Sequence, residues 1–463
     1  MKKLLVILFA LGLVFSFTAP VMATDVSFDG SYRVRGFYDS NSMLQDSDVV
    51  TEEMPSAYYD QRFRLQTVFQ VVEGLSVTAR FDAMDGVWGS TGMTSTTADD
   101  NIEFDMAYMT FVTGIGQFKA GYMSDGVWGT GFGDYEEFVA KIQWAVPIGD
   151  NLVFILNTVK YTEGDINDMT NTTIARVEDK DDDKYRAAVI YHNDTMQAGL
   201  LYNYYRYENY IPRLAVSDTI TAIAYSTSSF SDITAHALVP YVKLTLGDLY
   251  IESELTWMDG TINSRAAGTN DVDIEGLSFY VKGQYNMGPV YLGALFAYVQ
   301  GDDPDTATSE TIENGLGLVG SGSDWDPCLI LFTDTCATSL GQYGASSTAT
   351  ATSGSTAMTG TQMDNGYLYQ VFAGATFDKL SMKATLTYAT AHEDKKWAYS
   401  TVKYLNKDYG TEFDITASYK LYDNLTYTVG AGYLWAGDYY KGTLDTHKVG
   451  DTYLLMNKLQ VNF

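Results

Sequence analysis

Cysteine, histidine and proline are scarce in this chain: 463 residues hold 2 Cys, 4 His and 8 Pro. So few thiols and imidazoles exclude a disulfide-built scaffold and a zinc-cluster protein. Basic residues are short as well, with 29 Lys+Arg against 58 Asp+Glu and a net charge of −29. That balance repels nucleic acid rather than binding it. Also missing is an apolar run long enough for a helical membrane span of about 20 residues. What the chain has in plenty is tyrosine (36), glycine (41) and an aromatic content of 14%. Such a mixture favours extended, twisted strands.

The amino terminus carries Lys2 and Lys3, an apolar run from Leu4 to Phe17, and the small-residue pattern Val21-Met22-Ala23. These are the parts of a secretory signal peptide over residues 1–23. Its removal takes both lysines, leaving 27 basic residues against 58 acidic ones. The remaining chain, 24–463, is expected to be one exported domain.

Period-2 patterning dominates that domain. Val26, Phe28, Gly30, Tyr32, Val34, Gly36 and Tyr38 share one face, opposed to Ser27, Asp29, Ser31, Arg33 and Arg35. A second segment sets Tyr59, Phe63, Leu65, Thr67, Phe69 and Val71 against Asp60, Arg62, Arg64, Gln66 and Gln70. A third sets Leu75, Val77, Ala79 and Phe81 against Ser76, Thr78, Arg80 and Asp82. Fifteen further segments follow, near 101–113, 116–124, 137–147, 152–162, 184–192, 196–207, 234–246, 249–258, 276–286, 290–300, 367–377, 380–391, 411–422, 425–436 and 452–463. Asn157 and Pro240 interrupt the pattern in the seventh and tenth.

The links between segments alternate in length. Short ones fall at Glu73-Gly74, Gly114–Gly116, Gly149–Asn151, Asn193-Asp194, Gly247-Asp248, Met287–Pro289, Asp378-Lys379 and Asp423-Asn424, and long ones lie between them. A soluble β-sandwich also alternates apolar and polar residues along a strand, but has no reason to alternate its loop lengths. The expected fold is therefore all-β: a transmembrane antiparallel β-barrel of 18 strands, with 16 as the alternative, short periplasmic turns and long extracellular loops. Hydrocarbon offers backbone groups no hydrogen bonds, so a sheet there must close on itself. An Arg facing lipid near the midplane costs roughly 2 to 4 kcal/mol, which places the arginine faces inside.

Two local signs agree. The last segment alternates Tyr453, Leu455, Asn457, Leu459, Val461 and Phe463 with Thr452, Lys458, Gln460 and Asn462, and the chain ends on an aromatic. The pentapeptide Asp85-Gly86-Val87-Trp88-Gly89 returns as Asp125-Gly126-Val127-Trp128-Gly129, each where a strand leaves for a long loop. Both tryptophans are thus expected in the aromatic girdle at the membrane surface.

Over nearly the whole exported chain this pattern resembles the Gram-negative outer-membrane porins, and in size and strand count the eighteen-stranded substrate-channel and alginate-export-like barrels. The resemblance implies a bacterial outer-membrane location and an aqueous channel for passive diffusion of ions and small hydrophilic solutes, without a cofactor. It implies contact with outer-membrane lipid and lipopolysaccharide, and leaves open a homotrimer. It also implies a constriction loop after the fifth strand, here Ser124 to Glu136, with Asp134, Glu136 and Glu137 as candidates at its narrowest point.

The strand parities give the expected channel lining: Arg33, Arg35, Arg62, Arg64, Arg80, Glu103, Asp105, Lys119, Lys141, Arg186, Glu252 and Glu254, with Glu412 and Asp414 further on. Basic residues crowd the early strands and acids lie mostly across the ring, so a transverse field that orients solutes is expected. Any single one of these side chains reads equally as a solvated wall residue.

Other motifs carry less. Asp179, Asp181 and Asp183 open like a calcium loop, yet Lys184 and Ile190 occupy the Gly and Glu positions, so the match fails. Gly315–Gly320 spells a dinucleotide fingerprint without the strand-turn-helix it requires. In the longest loop, 301–366, Cys328 and Cys336 flank an apolar stretch and in an oxidising compartment are expected to form a disulfide. Leu329-Ile330-Leu331-Phe332 between them either packs under that lobe or folds into the pore mouth. His192, His236, His392 and His447 are too few and too scattered for the acid–base sites of membrane hydrolases, so no catalytic residue and no metal site is expected. The alternative to a porin is a barrel that sheathes or exports a partner, such as a multihaem cytochrome or a polysaccharide.

Overall fold

The computed structural model describes residues 25–42, 44, 55–89, 102–163, 181–210, 231–264, 271–303, 305, 321–322, 324–333, 362–395, 403–446 and 448–463. The expected signal peptide, Asp179, the Gly315–Gly320 run, Cys336 and His447 lie outside them.

Eighteen strands follow in order: β1 (Asp25–Asp39), β2 (Ser56–Val72), β3 (Leu75–Val87), β4 (Ile102–Thr113), β5 (Gly116–Asp125), β6 (Glu137–Ile148), β7 (Leu152–Thr162), β8 (Asp182–His192) and β9 (Met196–Tyr210). The second half comprises β10 (Ser231–Leu246), β11 (Leu249–Ser264), β12 (Val272–Met287), β13 (Val290–Val299), β14 (Gly366–Phe377), β15 (Leu380–Thr390), β16 (Asp408–Tyr422), β17 (Leu425–Ala436) and β18 (Thr452–Asn462). Each pairs antiparallel with the next, and β18 pairs back onto β1 from Ser31 opposite Asn462 to Asp39 opposite Leu454. The sheet has no free edge, as hydrocarbon demands. The terminal residue takes part in closure: Gly30 N–H donates to the Phe463 carbonyl (2.8 Å), and Phe463 N–H donates back to Gly30 (3.0 Å). With eighteen strands in the ring, the sixteen-strand alternative falls away.

The two segments with interrupting residues are complete strands. Asn157 sits on the inner wall of β7, opposite Arg186 and Gln143. In β10 the ladder toward β11 skips Val239 and Pro240, as the missing proline N–H requires, while the side toward β9 stays paired.

Alternation sorts the side chains of each strand between two faces. On one face large apolar groups stand exposed, among them Val371 (56%), Ile415 (51%), Leu292 (50%) and Leu455 (48%). A water-soluble monomer does not leave a belt of this kind open. Aromatic pairs mark its margin: Trp88 stacks on Tyr59 with ring centroids 5.3 Å apart, and Tyr433 meets Trp435 at 4.8 Å. Among the described residues no helix is long and apolar enough to cross a membrane; the strands do the crossing.

Candidate functional site

The opposite face of the strands is identified as the interior by what packs on it. The connection 126–136 leaves β5 and runs as a chord to strands on the far side of the ring. Trp128 Nε1 donates to the Val239 carbonyl at 3.0 Å, beside the break at Pro240 in the β10–β11 ladder. Its ring meets Tyr241 edge-on at 5.2 Å. Thr130 N–H donates to Glu254 Oε2 at 2.6 Å, and Phe132, fully buried, stacks on Tyr280 at 5.2 Å. Gly129 has φ +68, and a Cβ there would stand 2.5 Å from the Glu254 carboxylate and 2.9 Å from Tyr241, so the close approach needs glycine twice over. Trp128 is therefore not a girdle residue. The repeated pentapeptide has two fates: Trp88 donates to Gln61 on the outer face (3.0 Å), whereas Trp128 turns inward onto Val239 and Tyr241 of β10.

Both roots of this loop are anchored. At its start, Asp125 accepts from Lys141 (3.0 Å), Lys184 (2.6 Å) and Arg186 (2.9 Å). At its end, Glu137 accepts from Tyr161 (2.7 Å) and Tyr135 (3.3 Å), and pairs with Lys184 (3.3 Å). One carboxylate facing three buried cations is held tightly, because removing any partner leaves an uncompensated charge. Lys184, which spoils the calcium pattern, is completely buried in this hub.

Toward the opposite wall the loop offers Glu136, which pairs with Arg64 (3.2 Å) and Arg80 (2.5 Å). These belong to a lattice of charge across β1–β4: Arg35 on Asp60 (2.7 Å), Arg64 on Asp82 (2.7 Å), Arg80 on Asp105 (2.9 Å), and Arg62 within 3.8 Å of Asp82. Asp105 reaches Arg80 because it is the extra residue of a bulge, Arg80 lying opposite Met106 and Phe81 opposite Phe104. The separation of basic and acidic walls expected from the sequence is thus replaced by local neutralisation. Among the described residues Arg33 has no ion pair, and its Nε is buried without a hydrogen-bond partner.

A second segment, 321–322 and 324–333, enters from the long β13–β14 connection and locks onto the first. Gly322 N–H donates to the Phe132 carbonyl (2.7 Å) and Asp324 N–H to the Asp134 carbonyl (3.1 Å). A Cβ on Gly322 would lie 1.7 Å from the Asp134 oxygen. Trp325 packs on Phe132 (5.0 Å) and Tyr280 (5.9 Å). The apolar tetrad takes the second of its two expected courses and folds into the barrel: Leu331 and Phe332 are buried with Leu295, Leu368, Phe372 and Leu434 of the wall. Glu412 holds the turn, accepting N–H groups from Leu329 (3.0 Å), Ile330 (2.8 Å) and Leu331 (2.8 Å).

Titration follows burial in these two segments. Burial, reinforced by Asp324 nearby, pushes the Asp134 carboxyl up to about 6, although the Trp128 N–H and Lys243 pull the other way. Burial, helped by Glu412 and Asp414, pushes the Cys328 thiol well above its usual range. Cys328, Glu412 and Asp414 bring ligand atoms within 4.8 Å of one another, but a cation there would have to displace three backbone N–H donors from Glu412. The set does not fit a metal.

Of the expected lining residues, Arg33, Arg35, Arg62, Arg64 and Arg80 form one wall, and Glu103 stands on its border opposite Asp82. Glu252 accepts from Tyr250 and Tyr280 (both 2.7 Å) and pairs with Lys282 (3.2 Å), while Lys119 sits 5.7 Å from the Tyr108 ring. Lys141, Arg186 and Glu254 differ from expectation: they are buried and hold the loop 126–136, so loop anchoring replaces contact with water. Glu137 likewise braces the loop root, Asp134 accepts the Trp128 N–H within the loop (2.7 Å), and of the three candidates Glu136 alone reaches the arginine wall. Asp125, Asp60 and Lys184 complete the network. The first cannot be recognised without the fold, because its partners come from β6 and β8. The disulfide falls outside the described residues with Cys336; Cys328 Sγ lies 3.4 Å from Thr387 Oγ1. His236 sits on the outer face against Tyr202 (2.7 Å), and His392 accepts from Gly301 N–H (3.1 Å) at the loop rim.

A seamless ring with an apolar exterior and a charged, loop-braced interior defines the class: a transmembrane antiparallel β-barrel. No family model matches the chain, and no curated protein matches it. Among solved structures it is similar to the outer-membrane protein OpdK of Pseudomonas aeruginosa, with 11% identity, a TM-score of 0.49, and 94% of this chain and 99% of that one covered. It is also similar to OccK8 (OprE) of the same organism, at 12% identity and TM-score 0.47, covering 94% and 98%. The channel DcaP of Acinetobacter baumannii follows at 12% and 0.42, covering 95% and 97%.

Proposed function

We propose that the protein is a porin of the bacterial outer membrane, a water-filled channel through which ions and small hydrophilic solutes diffuse passively. The supporting observation is the split interior. Along β12–β18 the lumen is closed by the buried cluster around Leu331, Phe332 and Trp325. Along β1–β4 it is lined by charged side chains, which need water or one another. Barrels of this size are too wide for side chains alone to fill. The passage therefore follows the arginine–carboxylate lattice past Glu136. Export with cleavage after Ala23, and contact with lipid and lipopolysaccharide at the outer belt, belong to the same reading.

A sheath for a protein or polysaccharide partner would have to displace two loops that are bonded to each other and to the walls. Planar-bilayer recording and liposome swelling separate the two readings. Purified barrel that conducts ions and admits small sugars supports the porin; a barrel that is silent until a partner is supplied removes it.

A further inference from the structure

Beneath the docked loops the inner wall changes from arginine to lysine. Lys119 of β5, Lys243 of β10 and Lys383 of β15 lie three residues from the short-turn ends of their strands, and Lys458 of β18 lies four. Each stands below a point where the wall grips a loop. Lys243 is two residues below Tyr241, the seat of Trp128. Lys383 is two below Thr385, which donates to Asp414 at 3.1 Å. Lys458 is two below Met456, which packs in the cluster around Leu331. Lys119 is six below Asp125, the root of the first loop.

All four are half-buried on the inner face, and none forms an ion pair among the described residues. Rings lie beside two of them, Phe372 at 5.4 Å from Lys383 and Tyr108 at 5.7 Å from Lys119, and carboxylates stand nearby but beyond ion-pair distance: Asp134 toward Lys243, Asp414 toward Lys383 and Asp326 toward Lys458. Most arginines of the inner wall hold a carboxylate at ion-pair distance; these lysines do not. The approaches to them also differ. The nine long connections hold thirty acidic residues against ten basic ones, whereas the eight short turns hold six acids and Lys379. An anion coming from the loop side meets a much stronger repulsive field than one coming from the turn side.

We propose that Lys119, Lys243, Lys383 and Lys458 form a binding zone for polyvalent anions below the constriction, reached from the short-turn side of the barrel. The zone rests on the channel reading for its access, although not for its chemistry. Four like charges spaced around one aqueous lumen bind an anion of several charges better than a chloride ion, because each added charge meets the summed field.

Tripolyphosphate added to one chamber of a single-channel bilayer experiment, and then to the other, tests this. At 0.1 M salt it is expected to block from one chamber at a concentration about tenfold lower than from the other, and the block weakens at 1 M salt as the screening length falls from about 10 to about 3 Å. The K119S/K243S/K383S/K458S variant loses the sided block, and the fourfold Lys→Arg variant keeps it. Heat-modifiable electrophoretic migration verifies that each variant has folded, and single Lys→Ser variants stand in if the fourfold one has not. Equal block from both chambers, no block, or a block that survives in the folded serine variants overturns the zone. Absence of any conductance removes the channel reading instead. Calorimetric binding of tripolyphosphate to the detergent-solubilised barrel, present in wild type and lost with the serines, then decides the zone by itself.

Discussion

The two halves of the lumen solve the same problem by opposite means. Beside β12–β18 a backbone turn with its apolar tetrad fills the space, so the wall there ends in a dry core. Beside β1–β4 only Phe37 and the partly buried Tyr58 join that core, and the rest of the wall ends in interlocked guanidinium and carboxylate groups. The contrast shows that the width of the passage is set by loops, whereas its polarity is set by strands.

The sharpest way to break that contrast is Glu412→Ala. Losing the acceptor of three buried N–H groups costs on the order of 3 kcal/mol or more. The 321–333 segment should detach, with faster amide exchange at Leu329–Leu331 and a clearly larger single-channel conductance. Unchanged conductance with exchange still slow would mean the segment does not need this anchor to seal its half.

On the charged side, Arg62→Ser with Arg64→Ser leaves Asp82 without its cationic partners and Glu136 with Arg80 alone. The cation-to-anion permeability ratio should rise about twofold, read from the reversal potential under a salt gradient. Glu136→Gln acts oppositely and more weakly, since Arg64 keeps Asp82 and Arg80 keeps Asp105. If both variants shift the potential in the same direction, the lattice is not the selectivity wall.

The seam between the halves offers a finer test. Asp134, at about 6, binds its proton more tightly in the docked loop than in an unfolded chain, where a carboxyl titrates near pH 4. Docking is therefore strongest below about pH 4, weakens as pH rises from about 4 to about 6, and is flat above. Amide exchange at Trp128 and Thr130 should follow that course in wild type and become flat in Asp134→Asn; a wild-type profile without this window would contradict the assignment. The smallest expected effect is covalent. If Cys328, a buried free thiol in this structure, joins Cys336 in the disulfide expected from the sequence, mature protein unfolded in denaturant and alkylated without reduction should show no mass increase, whereas uptake of two adducts would remove the bond.

Strand order, turn positions and the faces of Arg33, Arg62 and Arg64 were legible because they depend on a two-residue period and on short turns, which are local. Asp60 and Asp82 were even placed on the arginine face by the same period. The loops were not legible, because their destinations are set by partners far away in the chain. Trp128 and Trp88 sit in identical pentapeptides; what separates them is the seat that Val239 and Tyr241 offer more than a hundred residues later. Lys141 and Arg186 have the period of lining residues and the role of anchors, since Asp125 decides it.

The clasp between Gly30 and Phe463 has a temporal meaning. It joins the first strand to the eighteenth, so the sheet is sealed only when its last strand has been inserted. The first inward segment rests on β10–β12, and the second on β13–β16 with Leu434 and Met456 of β17 and β18 completing its seat. The bore is thus narrowed strand by strand as the wall is assembled, and the seam only seals a cylinder whose constriction is already largely in place.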